Sequence, residues 1–233
     1  MKMFRMTVLI LTLVFVASAA FAFGGSAPKP ETTTAPSETS APITPVVRAG
    51  FPFLVDNFED GDYTKAPEWF TFDNLKVAVE KNASLKATDL PVGEYSLNLS
   101  GTTNSWYVGG MGTMLGVNAS NYAAFDIDVY GYGADSGKLK IELYNNDSGK
   151  DSIEVDKSYQ PMYDDLWAHE INVDWDGWKH LSIPFSEFKL VNPGKGNGIM
   201  DNPVAKVQLI CVANSEQGTI KYNIDNLELG AKK

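Results

Sequence analysis

Cysteine is almost missing: Cys211 is the single one among 233 residues. A lone cysteine makes no internal disulfide, so a hydrophobic core must hold the fold, and a chain of this length can supply one. Its setting, KVQLICVA, is an apolar alternating run, which assigns the thiol to packing rather than to catalysis. Histidine is nearly as scarce. His169 and His180 are the whole supply, too few for a multi-histidine metal centre. Basic residues are outnumbered, 19 Lys plus Arg against 29 Asp plus Glu. That balance excludes nucleic acid, whose binding leans on cations against phosphates. It also excludes docking to an anionic membrane surface. It is compatible with a neutral ligand or a divalent cation. No Gly-x-Ser-x-Gly, His-Glu-x-x-His, phosphate loop or Ser-His-Asp order occurs.

Long apolar runs are missing too, save one. Thr7–Ala17 is apolar, follows Lys2 and Arg5, and precedes Ala20-Phe21-Ala22. This is the build of a secretory signal peptide, and the run falls short of the ~20 residues that span a bilayer. Residues 1–22 are therefore read as a signal peptide. No membrane insertion is expected after its cleavage, and the short Ala-rich signal points to a bacterial protein, secreted to the periplasm or beyond. Without Lys2 and Arg5, 17 basic residues face 29 acidic ones, a net charge of −12. Residues 23–48, FGGSAPKPETTTAPSETSAPITPVVR, are rich in Pro, Thr, Ser and Ala. Such a composition cannot bury a core and reads as a disordered or extended linker. The folded domain is expected over 49–233.

Helical periodicity is absent, apart from one turn's worth in SEFKL (186–190). What is present is alternation. YSLNLSG (95–101), AFDIDVYG (124–131), KLKIELYN (138–145), WKHLSIPF (178–185), AKVQLICVA (205–213) and IKYNIDNLEL (220–229) each have an apolar residue at every second position. Period two means strands with one buried face. Turn signals such as NNDSG, DWDG and NPGKGNG separate them,. Many short antiparallel strands in one domain predict an all-β sandwich of two antiparallel sheets, a jelly roll.

Three stretches carry a family resemblance: VDNFEDGD (55–62), WDGWKHLSIPFSEFK (175–189), and GNGIMDNPVAKVQLICVAN with GTIKYNIDNLEL (196–214 and 218–229). In this order the chain resembles the jelly-roll carbohydrate-binding modules of the galactose-binding-like superfamily. It looks most like the family-eleven modules, which are similar in turn to the domain of the complex I intermediate-associated proteins. The resemblance implies that the first and last strands lie together and that Glu59 and Asp225 bind a structural calcium there. Calcium is a hard cation that takes six to eight oxygen ligands. It would pin the ends of the sandwich together, with Phe58 anchoring the stretch in the core. The other reading of DNFEDGD is a solvated acidic turn. Trp178 and Phe185 are assigned to the core on the same likeness.

A sugar cleft needs rings that stack on pyranose faces, with polar groups placed between them. The outward positions of the alternating runs offer both: Asp126, Asp128 and Tyr130, then Lys140, Glu142 and Tyr144, with Gln208 on its own strand. The resemblance implies that these lie on the concave sheet. Trp106 and Tyr107, in the loop-like NSWYVGG, are expected to wall one end. Tyr159, Tyr163 and Trp167 are expected at the other. Asp126 and Asp128 lie roughly 6.5–7 Å apart along a strand, a spacing compatible with glycoside hydrolysis. The three-carboxylate strand of jelly-roll glucanases is nevertheless absent from FDIDVY. The expected function is non-catalytic binding of a polysaccharide or oligosaccharide. The alternative is an envelope or periplasmic adaptor that uses the same sandwich against a protein partner.

Overall fold

The computed structural model describes residues 50–201 and 203–232. The signal peptide and the linker lie outside them. The described chain forms twelve strands: β1 (Phe53–Asp56), β2 (Phe70–Asp73), β3 (Lys76–Lys81), β4 (Tyr95–Thr103), β5 (Tyr107–Asn118), β6 (Tyr122–Tyr132), β7 (Lys138–Asn145), β8 (Asp165–Asn172), β9 (Asp176–Pro184), β10 (Lys189–Leu190), β11 (Pro203–Val212) and β12 (Gly218–Ala231). One sheet has the order β3-β4-β12-β6-β9, with β1 also paired to β12; the other is β10-β8-β7-β11-β5-β2. Every pairing is antiparallel.

Period-two alternation puts one row of each strand between the sheets. Leu97 and Leu99 of β4, Phe125, Ile127 and Val129 of β6, Leu139, Ile141 and Leu143 of β7, and Val207, Leu209 and Cys211 of β11 are all buried there. Each such side chain contributes about 1.5–3 kcal/mol by leaving water. The thiol of Cys211 is part of this core, and burial pushes its pKa up to about 12.

The chain crosses between the layers repeatedly. β6 lies in the first sheet, β7 in the second, β9 in the first and β11 in the second. β6 and β7, adjacent in sequence, therefore present their outward residues on opposite sides of the sandwich.

The DNFEDGD stretch is the turn that follows β1, and it is locally committed. Asp56 accepts the Phe58 backbone N–H at 2.9 Å and the Trp69 indole N–H at 2.8 Å. Phe58 is buried against the Trp69 ring, with centroids 6.1 Å apart. Asp62 accepts both the backbone N–H and the hydroxyl of Thr64. Trp178 departs from the expected core position. It pairs with Tyr130 in register, so it shares the outward side of the first sheet, its ring 5.4 Å from that of Tyr130. Phe185 is partly buried and packs against the core from the 3-10 turn Phe185–Glu187, which overlaps the first two residues of SEFKL.

Candidate functional site

The outer face of the second sheet is built in cross-strand rows. One row runs Phe72, Gly110, Ile210, Lys140, Glu170; the next runs Phe70, Gly112, Gln208, Glu142, Ala168; a third runs Met114, Lys206, Tyr144, Leu166. The two glycines matter because they carry nothing. A Cβ on Gly110 would sit 2.5 Å from the Phe72 ring, and one on Gly112 would sit 2.7 Å from the Phe70 ring. Glycine inside a strand marks such a close approach. The two rings therefore lie down over bare backbone, 6.2 Å apart and within 28° of parallel. Phe70 is 41% exposed. Together they make a nearly flat apolar platform open to solvent.

Polar groups stand next to it. Glu142 is buried, held by Lys140 Nζ at 2.6 Å and by the Tyr144 hydroxyl at 3.3 Å. Burial first, and then the Glu142 charge, raise the Tyr144 pKa. Lys206 Nζ lies 3.7 Å from the centre of the Tyr144 ring. Burial lowers its pKa, and Glu142 opposes that only in part. Tyr107 donates its hydroxyl to Asp73 at 2.6 Å. At the rim, Tyr159 is 80% exposed. It is presented by a tight turn in which Asp156 accepts the backbone N–H groups of Ser158 and Gln160. Those donors hold the Asp156 carboxyl below its ordinary value. Phe70, Phe72, Tyr107, Tyr159, Lys206 and Gln208 are among the walls of a groove of about 760 Å³.

The structure divides the sequence-predicted residues. Lys140, Glu142 and Tyr144 lie on this outer face, as does Gln208. Asp126, Asp128 and Tyr130 do not. They belong to β6 in the first sheet and face away on the opposite side of the sandwich. The single face expected for both sets is two faces, because the chain changes sheets between β6 and β7. Neither central tyrosine is an open stacking surface: Tyr130 and Tyr144 are each 4% exposed. Tyr130 packs edge-on between Tyr132 and Trp178. Asp128 accepts from Asn226 and pairs with His180. Trp106 is exposed on the loop before β5, while its neighbour Tyr107 reaches the groove. Trp167 faces the core. The sequence reading missed Phe70 and Phe72, although FTF is an alternating aromatic pair and GGMG supplies the glycines beneath it.

A second cluster lies at the junction of the DNFEDGD turn and β12. Both Glu59 carboxylate oxygens accept the Glu94 backbone N–H, and Oε1 also accepts that of Tyr95. Asp225 is fully buried; its Oδ1 accepts the Asn226 N–H at 2.7 Å, and its Oδ2 has no partner. Asn82 turns its amide N–H groups onto the carbonyls of Val92 and Tyr95, which leaves its buried Oδ1 without a partner. Burial above all, with the Glu59 and Asp128 charges, pushes the Asp225 carboxyl up to about 8. A buried acid held this far up, beside orphaned oxygens, is the electrostatic condition that a bound cation relieves. The donors are all oxygens. Among the described residues no group of three or more His, Cys, Asp or Glu is placed to hold a metal ion, so amide and carbonyl oxygens would complete such a shell.

The fold itself has solved counterparts. A family 11 carbohydrate-binding module from Clostridium thermocellum, determined in complex with a β-1,3-1,4-mixed-linked tetrasaccharide, superposes with a TM-score of 0.51 at 19% identity, covering 78% of this chain and 97% of that one. This chain has the jelly-roll fold of the family 11 carbohydrate-binding modules. An exo-β-agarase matches at a TM-score of 0.51 and 11% identity, over 78% of this chain and 25% of the enzyme. No protein-family model and no curated protein matches the sequence. Among the described residues no helix is long and apolar enough to cross a membrane.

Proposed function

We propose that the chain is a secreted, non-catalytic carbohydrate-binding protein. It holds a polysaccharide chain along the outer face of β2, β5, β11 and β7. The observation that carries this reading is the pair of Phe70 and Phe72 rings lying flat over glycine backbone, with free polar groups one row away. Pyranose rings have apolar faces and polar edges, and a flat aromatic platform flanked by hydrogen-bonding side chains matches both. The solved module that shares this fold was determined with a mixed-linked glucan oligosaccharide, which supports the class of ligand. The two carboxylates in the groove are engaged: Glu142 with Lys140 and Tyr144, and Asp73 with Tyr107. Holding a ligand, rather than cleaving it, suits that arrangement.

The Asp225 cluster is proposed as a structural calcium site. Asp225, Glu59 and the Asn82 amide oxygen would supply ligands, and the ion would neutralise the buried carboxylate where the DNFEDGD turn meets β12.

The test is calorimetric titration of the secreted domain with a panel of neutral and acidic oligosaccharides, using Phe70→Ala and Phe72→Ala as controls. Loss of one anchoring ring is expected to weaken binding at least about tenfold, with an unchanged melting temperature. A well-folded domain that binds no glycan would overturn the reading and favour an envelope protein as the partner.

A further inference from the structure

Lys206 is the unexplained charge in the groove. It is half-buried, its Nζ sits 3.7 Å above the Tyr144 ring, and no carboxylate lies within ion-pair distance of it among the described residues. The nearest acid has been taken by another lysine. Glu142, buried beside it, is bound to Lys140 Nζ at 2.6 Å on one oxygen and to the Tyr144 hydroxyl on the other. The remaining acid of the groove, Asp73, holds the Tyr107 hydroxyl at 2.6 Å. Six of the seven ion pairs in the described chain belong to lysines, yet Lys206, part-buried in the groove wall, has none. Burying a cation without a counter-charge is costly. The cost falls here on a side chain that looks into a ligand groove. Tyr144 offsets part of it through its ring face. Two residues along the same strand and on the same side, Gln208 adds an amide with no hydrogen-bond partner among the described residues. Ammonium and amide together form a donor pair beside the Phe70–Phe72 platform, with no free acceptor of opposite charge.

We propose that the groove selects acidic glycans, its Lys206 ammonium and Gln208 amide receiving the carboxylate of a uronic acid whose ring stacks on Phe70 or Phe72. This rests on the carbohydrate-binding reading and narrows it to a class of sugar. The net charge of the chain is strongly negative and opposes polyanions at long range. Beyond about 10 Å salt screens that repulsion, and recognition is decided by the local pair. A charge-assisted hydrogen bond in a part-dry groove outweighs a neutral one.

The experiment compares matched ligands. Oligomers of glucuronate, galacturonate and mannuronate are titrated calorimetrically against their carboxyl-reduced counterparts, which differ only in a hydroxymethyl group at C5. The proposal expects at least one acidic oligomer to bind about tenfold or more tightly than its reduced form. Lys206→Gln should erase that preference and leave the weaker, neutral level of binding, while Lys206→Arg should keep it. Phe72→Ala should weaken both members of the pair. Equal affinity for acidic and reduced oligomers overturns the proposal. So does a preference that survives in Lys206→Gln. In either case sensitivity to Phe72→Ala would still uphold the groove as a sugar site. Binding of neither class removes the groove reading and this inference with it.

Discussion

Asp225 sets up a stability that should fall as pH rises. Its carboxyl is fully buried and keeps its proton up to about 8, whereas an unfolded chain releases it near 3.8. The folded state therefore binds this proton more tightly than the unfolded state does. The contribution is fully present below about pH 4, declines through neutrality, and is gone above about pH 8. At roughly 1.4 kcal/mol per pH unit, the whole interval is worth up to about 6 kcal/mol, comparable to the total stability of an ordinary domain. Asp225→Asn keeps the shape and removes the titration. Urea midpoints for both proteins in the presence of a divalent-cation chelator, between pH 5 and 9, give the measurement. The variant should gain steadily on the wild type as pH rises, reaching several kcal/mol by pH 8. The difference between the two proteins is the quantity to read, because Asp56, Asp165 and Glu228 are also raised by burial and tilt both curves alike. Calcium should then restore the wild type at pH 8 and leave Asp225→Asn unmoved. A wild-type-minus-variant difference that stays flat from pH 5 to 8 would refute the reasoning.

Other consequences are quicker to check. Gly112→Ala places a Cβ 2.7 Å from the Phe70 ring and 2.8 Å from the Val207 carbonyl; it should cost about 1–3 kcal/mol in urea unfolding and weaken glycan binding with it. Trp69→Phe removes the indole donor from Asp56 and leaves a part-buried carboxylate short of a partner, so a loss of about 1–3 kcal/mol is expected in the same assay. Cys211, buried with its pKa raised to about 12, should resist alkylation in the native domain and react only as it unfolds, so mass-spectrometric labelling against urea should trace the global transition. Tyr159→Ala should lower glycan affinity at an unchanged melting temperature, because the ring is 80% exposed on a turn held by Asp156.

The strands legible in the sequence are those that carry large apolar residues at alternate positions. KLKIELYN coincides with β7, the runs at 95–101, 124–131 and 220–229 fall inside β4, β6 and β12, and the run at 205–213 overruns the end of β11 by one residue. β5 was invisible for a physical reason: the outward positions of its first half are Gly110 and Gly112, so NSWYVGG reads as a loop although the backbone pairs with β11 from Tyr107 and with β2 from Gly109. β2 and β3 are only four and six residues long, and none of their residues is buried, so two alternating apolar positions in each are too few to stand out. The site suffered from a different ambiguity. Alternation tells which residues of one strand share a side, but it does not tell which strands share a sheet. Asp126 and Glu142 both point outward, and only the crossing of the chain between β6 and β7 separates them. The acidic turn fared better at the level of neighbours, since β1 pairs with β12 and the Glu59 charge acts on Asp225.

The platform strand sits apart from the residues that make the domain fold. β2 is an edge strand of its sheet, and none of its four residues is buried. It presses its rings against backbone that has no side chains to disturb. Exchanging Phe70 or Phe72 for another ring, or for a polar residue, leaves the packed interior untouched and changes only what the groove accepts. Such a border strand works as a replaceable cassette: drift there is cheap, and on the proposed carbohydrate-binding reading two codons suffice to change the accepted glycan without renegotiating the stability of the scaffold.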